Sequence, residues 1–149
     1  MDKNGIGNRD TVSKVVLARS FLLIRGHGLP FDKIFKIINP ARCVCFEKGD
    51  RYIGNRKYEI DGVSWEINLS RRSFLRALPH VKELALLNKR GQLGNNTKIS
   101  LNLILYGRGF YDSVSIPSDF LQVIGECGVD FEINIHADST HNDDIHIEL

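Results

Sequence analysis

The chain has 149 residues, enough for one domain with an ordinary hydrophobic core, and its 42% hydrophobic and 26% charged residues are typical of a globular protein. No apolar run reaches the roughly 18 residues that cross a bilayer, and the polar start MDKNGIGNRD lacks the hydrophobic segment of a secretory signal. We therefore expect a single cytoplasmic domain over residues 1–149, without a membrane span.

The net charge of +2 conceals a separation of charge along the chain. All 20 Lys and Arg residues lie at or before Arg108, together with nine acidic residues, which gives this part +11. Residues 109–149 contain nine acidic residues and no Lys or Arg, which gives −9. Such a separation suggests a charged partner. The alternative is that the acidic end packs against the chain's own basic surface.

The spacing of apolar residues predicts elements in the first part of the chain. Residues 1–12 are polar and rich in Gly and Asn, and we expect them to be flexible. VVLARSFLLI (15–24) predicts a buried strand, and LPFDKIFKIIN (29–39) predicts a helix that Pro40 ends. Residues 41–62 mix turn signals with short apolar pieces, which predicts an irregular connection or a loose hairpin.

The remaining sequence predicts further alternating strands and helices. In chain order these are a strand over VSWEINL (63–69), a helix over SRRSFLRALPHVKELALLNKRG (70–91), a strand over TKISLNLILYG (97–107), a helix over IPSDFLQVIGECG (116–128) and a strand over VDFEINIHA (129–137). Trp65 is expected in the core, and Pro79 either kinks its helix or starts a second one. Val129, Phe131, Ile133 and Ile135 are expected to face inward. Because most strands alternate, we predict an α+β fold: a mainly antiparallel sheet with helices on one face, a two-layer sandwich.

These stretches also match a pattern known from another group of proteins. SFLLIRGHGLPFDKIFKIINPARCVCFEKGD is followed by VSWEINL, by the helix after SRRSFLRALP, and by PSDFLQVIGECGVDFEINIHA. This succession, over residues 20–137, resembles the bacterial family catalogued as domain of unknown function 4279. The shared positions determine a fold and include no catalytic signature. Residues 43–45 differ from the aromatic and basic segment usual there, and the C-terminus extends past the last strand. The resemblance implies a small α+β domain, and small stand-alone bacterial proteins of this type include immunity proteins for polymorphic toxins.

The last fourteen residues, HADSTHNDDIHIEL, contain three histidines and four acidic residues. They include metal-ligand types, but no helical pair and no HExxH motif, so we predict no metal site. Ile145, Ile147 and Leu149 alternate with polar residues. Residues 138–149 therefore form an acidic extension whose last five residues are expected to add an edge strand beside residues 129–137. A sheet edge can also accept a strand from a partner.

Two alternatives come from the basic residues and the cysteines. Arg71, Arg72, Arg76 and Lys82 lie along the second long helix, and Arg51, Arg56 and Lys57 lie near Tyr52 and Tyr58. Basic groups with aromatic residues between them can bind nucleic acid. A pI of 8.5 is below that of a strongly basic domain, so nucleic acid is not the expected partner. Three cysteines, an odd number, predict reduced thiols. Their pairing with His27, His80 or His136 as nucleophile and base is not visible in sequence.

We therefore expect a non-catalytic protein-binding module, an immunity protein that neutralises a bacterial toxin by charge-complementary binding, with a basic nuclease domain as the expected partner. The alternative is a regulatory or nucleic-acid-associated module that uses the helix face around Arg71–Arg76. No catalytic residue, metal or cofactor is predicted. The residues expected to bind the partner are Asp130, Glu132, His136, Asp138, His141, Asp143, Asp144, His146 and Glu148.

Overall fold

The computed structural model describes residues 16–68, 71–107, 116 and 118–137. Its elements in chain order are β1 (Val16–Gly26), α1 (Phe31–Phe35), a 3-10 helix (Pro40–Arg42), β2 (Cys43–Phe46), β3 (Arg51–Ile53), β4 (Arg56–Lys57), β5 (Asp61–Glu66), α2 (Arg71–Lys89), β6 (Lys98–Gly107), α3 (Ser118–Cys127) and β7 (Asp130–Ala137). Five strands form one sheet in the order β2-β5-β1-β6-β7, and β3 pairs with β4 in a separate hairpin.

The main sheet is mostly antiparallel, as the sequence predicts. β1 lies between β5 and β6 and is antiparallel to both, and β2 is antiparallel to β5. Among the described strands, β6 and β7 are the one parallel pair, at one end of this order. A parallel pair requires a crossover connection, and α3 lies in the chain between these two strands. The α+β class with a mainly antiparallel sheet is therefore confirmed.

The hydrophobic core lies between the helices and one face of this sheet, which we call the core face. Leu22 and Ile24 of β1 are completely buried and pair with Trp65 and Val63 of β5. In β6, the other neighbour of β1, they pair with Leu101 and Ile99. The helices complete the cluster with Ile34, Phe74, Ala77, Val81, Leu84 and Ile124. Burial of each large side chain contributes roughly 1.5–3 kcal/mol, and the prediction that Trp65 belongs to the core is confirmed.

The opposite side of the sheet, the open face, carries the residues that alternate with the core residues. On β1 these are Arg19, Phe21, Leu23 and Arg25, since residues two apart in a strand share a face. α2 and α3 pack on the core face, where the ring of His80 meets Trp65 and the ring of Phe120 meets Phe131. Among the described residues, no helix is both long and apolar enough to cross a bilayer.

Several elements differ from their predicted extent. α1 has only five residues, because the chain turns after Phe35 and the side chain of Asn39 then caps the 3-10 helix. α2 is a single helix that continues through Pro79, so no second helix begins there. The segment predicted as an irregular connection contains the hairpin, but also β2, a member of the main sheet. The predicted end of α3 is confirmed, since Gly128 has a φ of 71°.

Candidate functional site

A groove of about 940 Å³ lies on the open face, between the sheet and the β3–β4 hairpin. Phe21 and Leu23 of β1 line it, together with Ser64 of β5 and Ile104 of β6. The hairpin contributes residues on the other side, including Tyr52 and Lys57. The groove therefore combines an apolar sheet surface with a polar and aromatic wall.

Three aromatic rings form a column along this wall. The Phe46 ring lies directly over Gly62 of β5, where any Cβ atom would overlap it. Tyr58 stacks on Phe46 with ring centroids 3.9 Å apart and planes inclined by 18°. Tyr52 continues the column, 4.7 Å from Tyr58 and tilted by 38°. Tyr52, the last residue of the column, is 43% exposed and lines the groove.

The hairpin holds this column in place through backbone hydrogen bonds at its base. The amide of Tyr58 donates to the carbonyl of Asp50 at 2.9 Å, and the amide of Gly49 donates to the carbonyl of Tyr58 at 2.8 Å. Gly49 has a φ of 97°, a left-handed conformation that glycine adopts without a steric penalty. The position of Tyr58 is therefore fixed by the local turn as well as by stacking.

Positive charge exceeds negative charge in the groove. Arg19, Arg25, Arg42 and Lys57 line it, whereas its acidic residues are Glu59 and Glu66. Glu66 pairs with Arg19 at 3.7 Å, and both side chains are 64% exposed. Within the part of the chain that the structure describes, Arg42 and Lys57 take part in no ion pair. The groove is therefore suited to an anion.

The acidic residues predicted on the last strand lie at the other side of the open face. Asp130 and Glu132 are on β7, and Lys98 of β6 lies 3.7 Å from the Asp130 carboxylate and 2.9 Å from that of Glu132. The hydrogen bond from Lys98 lowers the pKa of Glu132 below its ordinary value and raises the pKa of Lys98. Lys98 thus partly neutralises these two carboxylates.

β7 leaves two large apolar side chains exposed. Phe131 is half-buried, but Ile133 and Ile135 are 41% and 68% exposed. These two isoleucines lie on the core face, in register with Leu103 and Leu105 of β6, as the predicted orientation requires, but they are not buried. The physical reason is that β7 is the last strand of the sheet among the described residues, so the helices that cover the centre of the sheet do not cover this end.

The other predicted partner-binding residues are placed only in part. His136 belongs to β7, where its backbone lies opposite Tyr106. The predicted edge strand formed by the last five residues lies outside the described residues. So do the remaining predicted contacts, Asp138, His141, Asp143, Asp144, His146 and Glu148. The structure therefore brings together Asp130 and Glu132 among the predicted set, beside Lys98.

The basic residues singled out in the sequence fall into two separate groups. Arg72, Arg76 and Lys82 are exposed on α2, on the helical side of the molecule. The other group is on the hairpin, where Lys57 lines the groove together with the aromatic Tyr52. Arg19, Arg25 and Phe46 also line the groove and were not predicted as site residues. The alternation of residues along β1 could have indicated this surface. Arg19 and Arg25 lie two residues from Phe21 and Leu23, so all four share one face of an otherwise apolar strand.

The cysteines show features of unreactive thiols. Burial, helped by the neighbouring Cys45, raises the pKa of Cys43 to about 11. Burial also raises the pKa of Cys45 and of Cys127. Because the thiolate is the nucleophile, a raised pKa lowers reactivity at neutral pH. Among the described residues, no group of three or more His, Cys, Asp or Glu side chains is arranged to hold a metal ion.

Comparison with known proteins gives no relative of the chain. No family model matches the sequence, no curated protein matches it, and no solved structure matches its fold. The resemblance to the domain of unknown function 4279 family therefore stays a prediction from the sequence.

Proposed function

We propose that the chain is a non-catalytic protein-binding module of immunity type, which neutralises a basic toxin domain through the β7 edge of its sheet. The observation that carries the proposal is the composition of this outermost strand. Asp130 and Glu132 lie on its open-face side, and the exposed Ile133 and Ile135 lie on its other side.

An outermost strand has backbone donors and acceptors that its single neighbour does not satisfy. Within the described residues, β7 pairs only with β6. Natural edges are usually protected by charge, by bulges or by a covering segment, whereas Ile133 and Ile135 make this one apolar on one side. Strand addition by a partner would pair the outer backbone groups of β7, which no described residue pairs with, and would cover the two isoleucines.

Charge supports a basic partner for this edge. Residues 109–149, to which β7 belongs, carry −9 in formal charge. Opposite charge accelerates the encounter of two proteins and disfavours partners of like charge. A cationic partner can displace Lys98 from Glu132, because that ion pair is partly exposed and exposed pairs contribute only up to about 1 kcal/mol.

The apolar part of the proposal is tested by placing a charge on the edge. The tagged chain is used to capture partners from its host, and Ile135→Lys is compared with wild type. We expect Ile135→Lys to abolish capture, because a buried lysine at a strand-to-strand contact is strongly unfavourable. The matched control is Leu86→Lys on α2, since Leu86 is 46% exposed and lies away from the edge. Equal capture by both variants would contradict the use of the β7 edge.

The electrostatic part is tested by association kinetics with the captured partner. Asp130→Lys combined with Glu132→Lys should lower the on-rate by about tenfold or more and reduce its salt dependence. Two substitutions on α3, Asp119→Lys and Glu126→Lys, change the net charge equally and serve as the control. Reversal of Asp143 and Asp144 should act in the same direction as the β7 variants. On-rates that fall equally in the α3 control would mean that net charge alone is responsible, and the assignment to β7 would then be wrong.

A further inference from the structure

We infer that the groove on the open face binds a nucleotide unit, meaning a phosphate group with its attached base, either as a free nucleotide or within a single strand of nucleic acid. This inference is independent of the proposed protein partner, because the groove lies beside the hairpin and β7 lies at the opposite edge of the sheet.

The first argument is the aromatic column. Tyr58 is covered by Phe46 on one side and by Tyr52 on the other. The column ends at Tyr52, which lines the groove and is 43% exposed. A base can extend such a column by stacking, and this contact accepts every base because each has an aromatic face.

The second argument is the position of the positive charges. Arg42 and Lys57 line the same groove as Tyr52, and in the described part of the chain neither has a carboxylate partner within 4 Å. Arg19 and Arg25 add positive charge at the sheet surface, although Glu66 pairs with Arg19. A guanidinium group binds phosphate through two parallel hydrogen bonds, and an ammonium group binds it as a point charge.

The third argument is size. The groove measures about 940 Å³, near the upper end of the roughly 300–1,000 Å³ found for small-molecule sites. It can hold a nucleotide, and its open form lets a strand continue past the bound unit. An acidic peptide would satisfy the cations, but its carboxylates offer no aromatic face to stack on Tyr52.

Fluorescence anisotropy tests the inference with a labelled oligothymidylate of about eight nucleotides, a length within the range for single-strand binding domains. We expect wild type to bind it at low salt. Tyr52→Ala should weaken binding by about tenfold, the range given by the loss of one stacked base, whereas Tyr52→Phe should retain it. Because Tyr52 is partly exposed, both variants are expected to fold, which circular dichroism checks.

The contribution of charge is measured with a matched pair of double variants. The plot of log affinity against log salt has a negative slope. Arg42→Ala with Lys57→Ala should make it less steep by about 1.4, since each phosphate contact to a single strand contributes roughly 0.7. Arg76→Ala with Lys82→Ala removes the same two residue types from α2, where both are exposed. This control should leave the affinity and the slope close to those of wild type.

Unlabelled ligands then distinguish the sources of the nucleotide unit. Displacement by a mononucleotide such as AMP supports a free nucleotide as the ligand, and displacement only by the unlabelled oligonucleotide supports a single strand. The inference is overturned if wild type binds neither, or if the α2 control loses binding while the groove variants keep it. It is also overturned if a polyglutamate peptide displaces the probe as well as the oligonucleotide does, because stacking would then have no role.

Discussion

Asp61 connects three segments of the chain through one carboxylate. Its Oδ2 atom accepts the amide of Leu29 at 3.1 Å, and its Oδ1 atom accepts the amide of Lys48 at 2.9 Å. In Asp61→Asn one of these oxygens becomes an NH₂ group that faces an amide donor. We therefore expect the free energy of unfolding to fall by about 1–2 kcal/mol, measured by urea denaturation near neutral pH.

The pH dependence of stability provides a second measurement of the same contact. The hydrogen bond from Lys48 is the main cause that lowers the pKa of Asp61 below its ordinary value of 3.8. A carboxylate whose pKa is lower in the folded state stabilises the fold above pH 3.8, and that contribution is lost as the pH falls through the folded-state pKa. Asp61→Asn should lose this part of the acid dependence. Asp50→Asn is the control, because the Asp50 carboxylate accepts the amide of Glu47, three residues away in an exposed loop. A loss as large as that of Asp61→Asn would contradict the role of the Asp61 carboxylate.

At the scale of elements, Gly62 determines how the hairpin packs on the sheet. Any Cβ atom at Gly62 would overlap the Phe46 ring, which carries the stacked Tyr58. Gly62→Ala should therefore displace the aromatic column and destabilise the fold by about 1–3 kcal/mol, as other overpacked contacts do. Thermal unfolding measures this effect, and near-ultraviolet circular dichroism reports the displacement of the tyrosines.

Gly125→Ala is a matched control for this substitution. Gly125 lies in α3, and a Cβ atom there would have no neighbouring atom within 4 Å. Alanine favours a helix more than glycine does, so this variant should gain up to about 1 kcal/mol. Combining Gly62→Ala with Phe46→Leu should recover part of the loss, because the smaller side chain makes room. The loss caused by Gly62→Ala is measured in wild type and in the Phe46→Leu variant. An equal loss in both would show that the overlap with the Phe46 ring is not responsible.

The elements with a clear periodicity were predictable from sequence, and the contacts between distant elements were not. Alternation at 63–69 predicts a strand with Trp65 buried; the structure confirms the burial of Trp65 and places the strand at Asp61–Glu66, so it begins and ends earlier than predicted. The four residues of β2 are too few to show a period, so their place in the sheet was missed. The exposure of Ile135 depends on β7 being the last of the described strands in the sheet, and the alternation of residues along a strand does not reveal its place in the sheet. The groove was missed for the same reason, because Phe46 meets Gly62 only through the pairing of β2 with β5.

At the scale of the whole molecule, stability is expected to be uneven. β1 is the central strand and contains completely buried residues such as Leu22 and Ile24. The hairpin of β3 and β4 is exposed at every position and forms a sheet of its own. Amides protected by a buried sheet exchange with solvent only after global unfolding, whereas those of a small exposed element exchange through local opening.

Hydrogen exchange on a destabilised variant separates these two modes of opening. Leu22→Ala removes a completely buried side chain from the core and should lower the free energy of unfolding by about 2–5 kcal/mol. Exchange in β1 and β6 should accelerate by the factor that corresponds to this loss, because both strands open only with the whole molecule. Exchange in the hairpin should stay unchanged, since its local opening does not involve the core. If amide exchange in the hairpin accelerates as much as in β1, the hairpin and the sheet unfold together. The groove would then depend on the stability of the entire sheet.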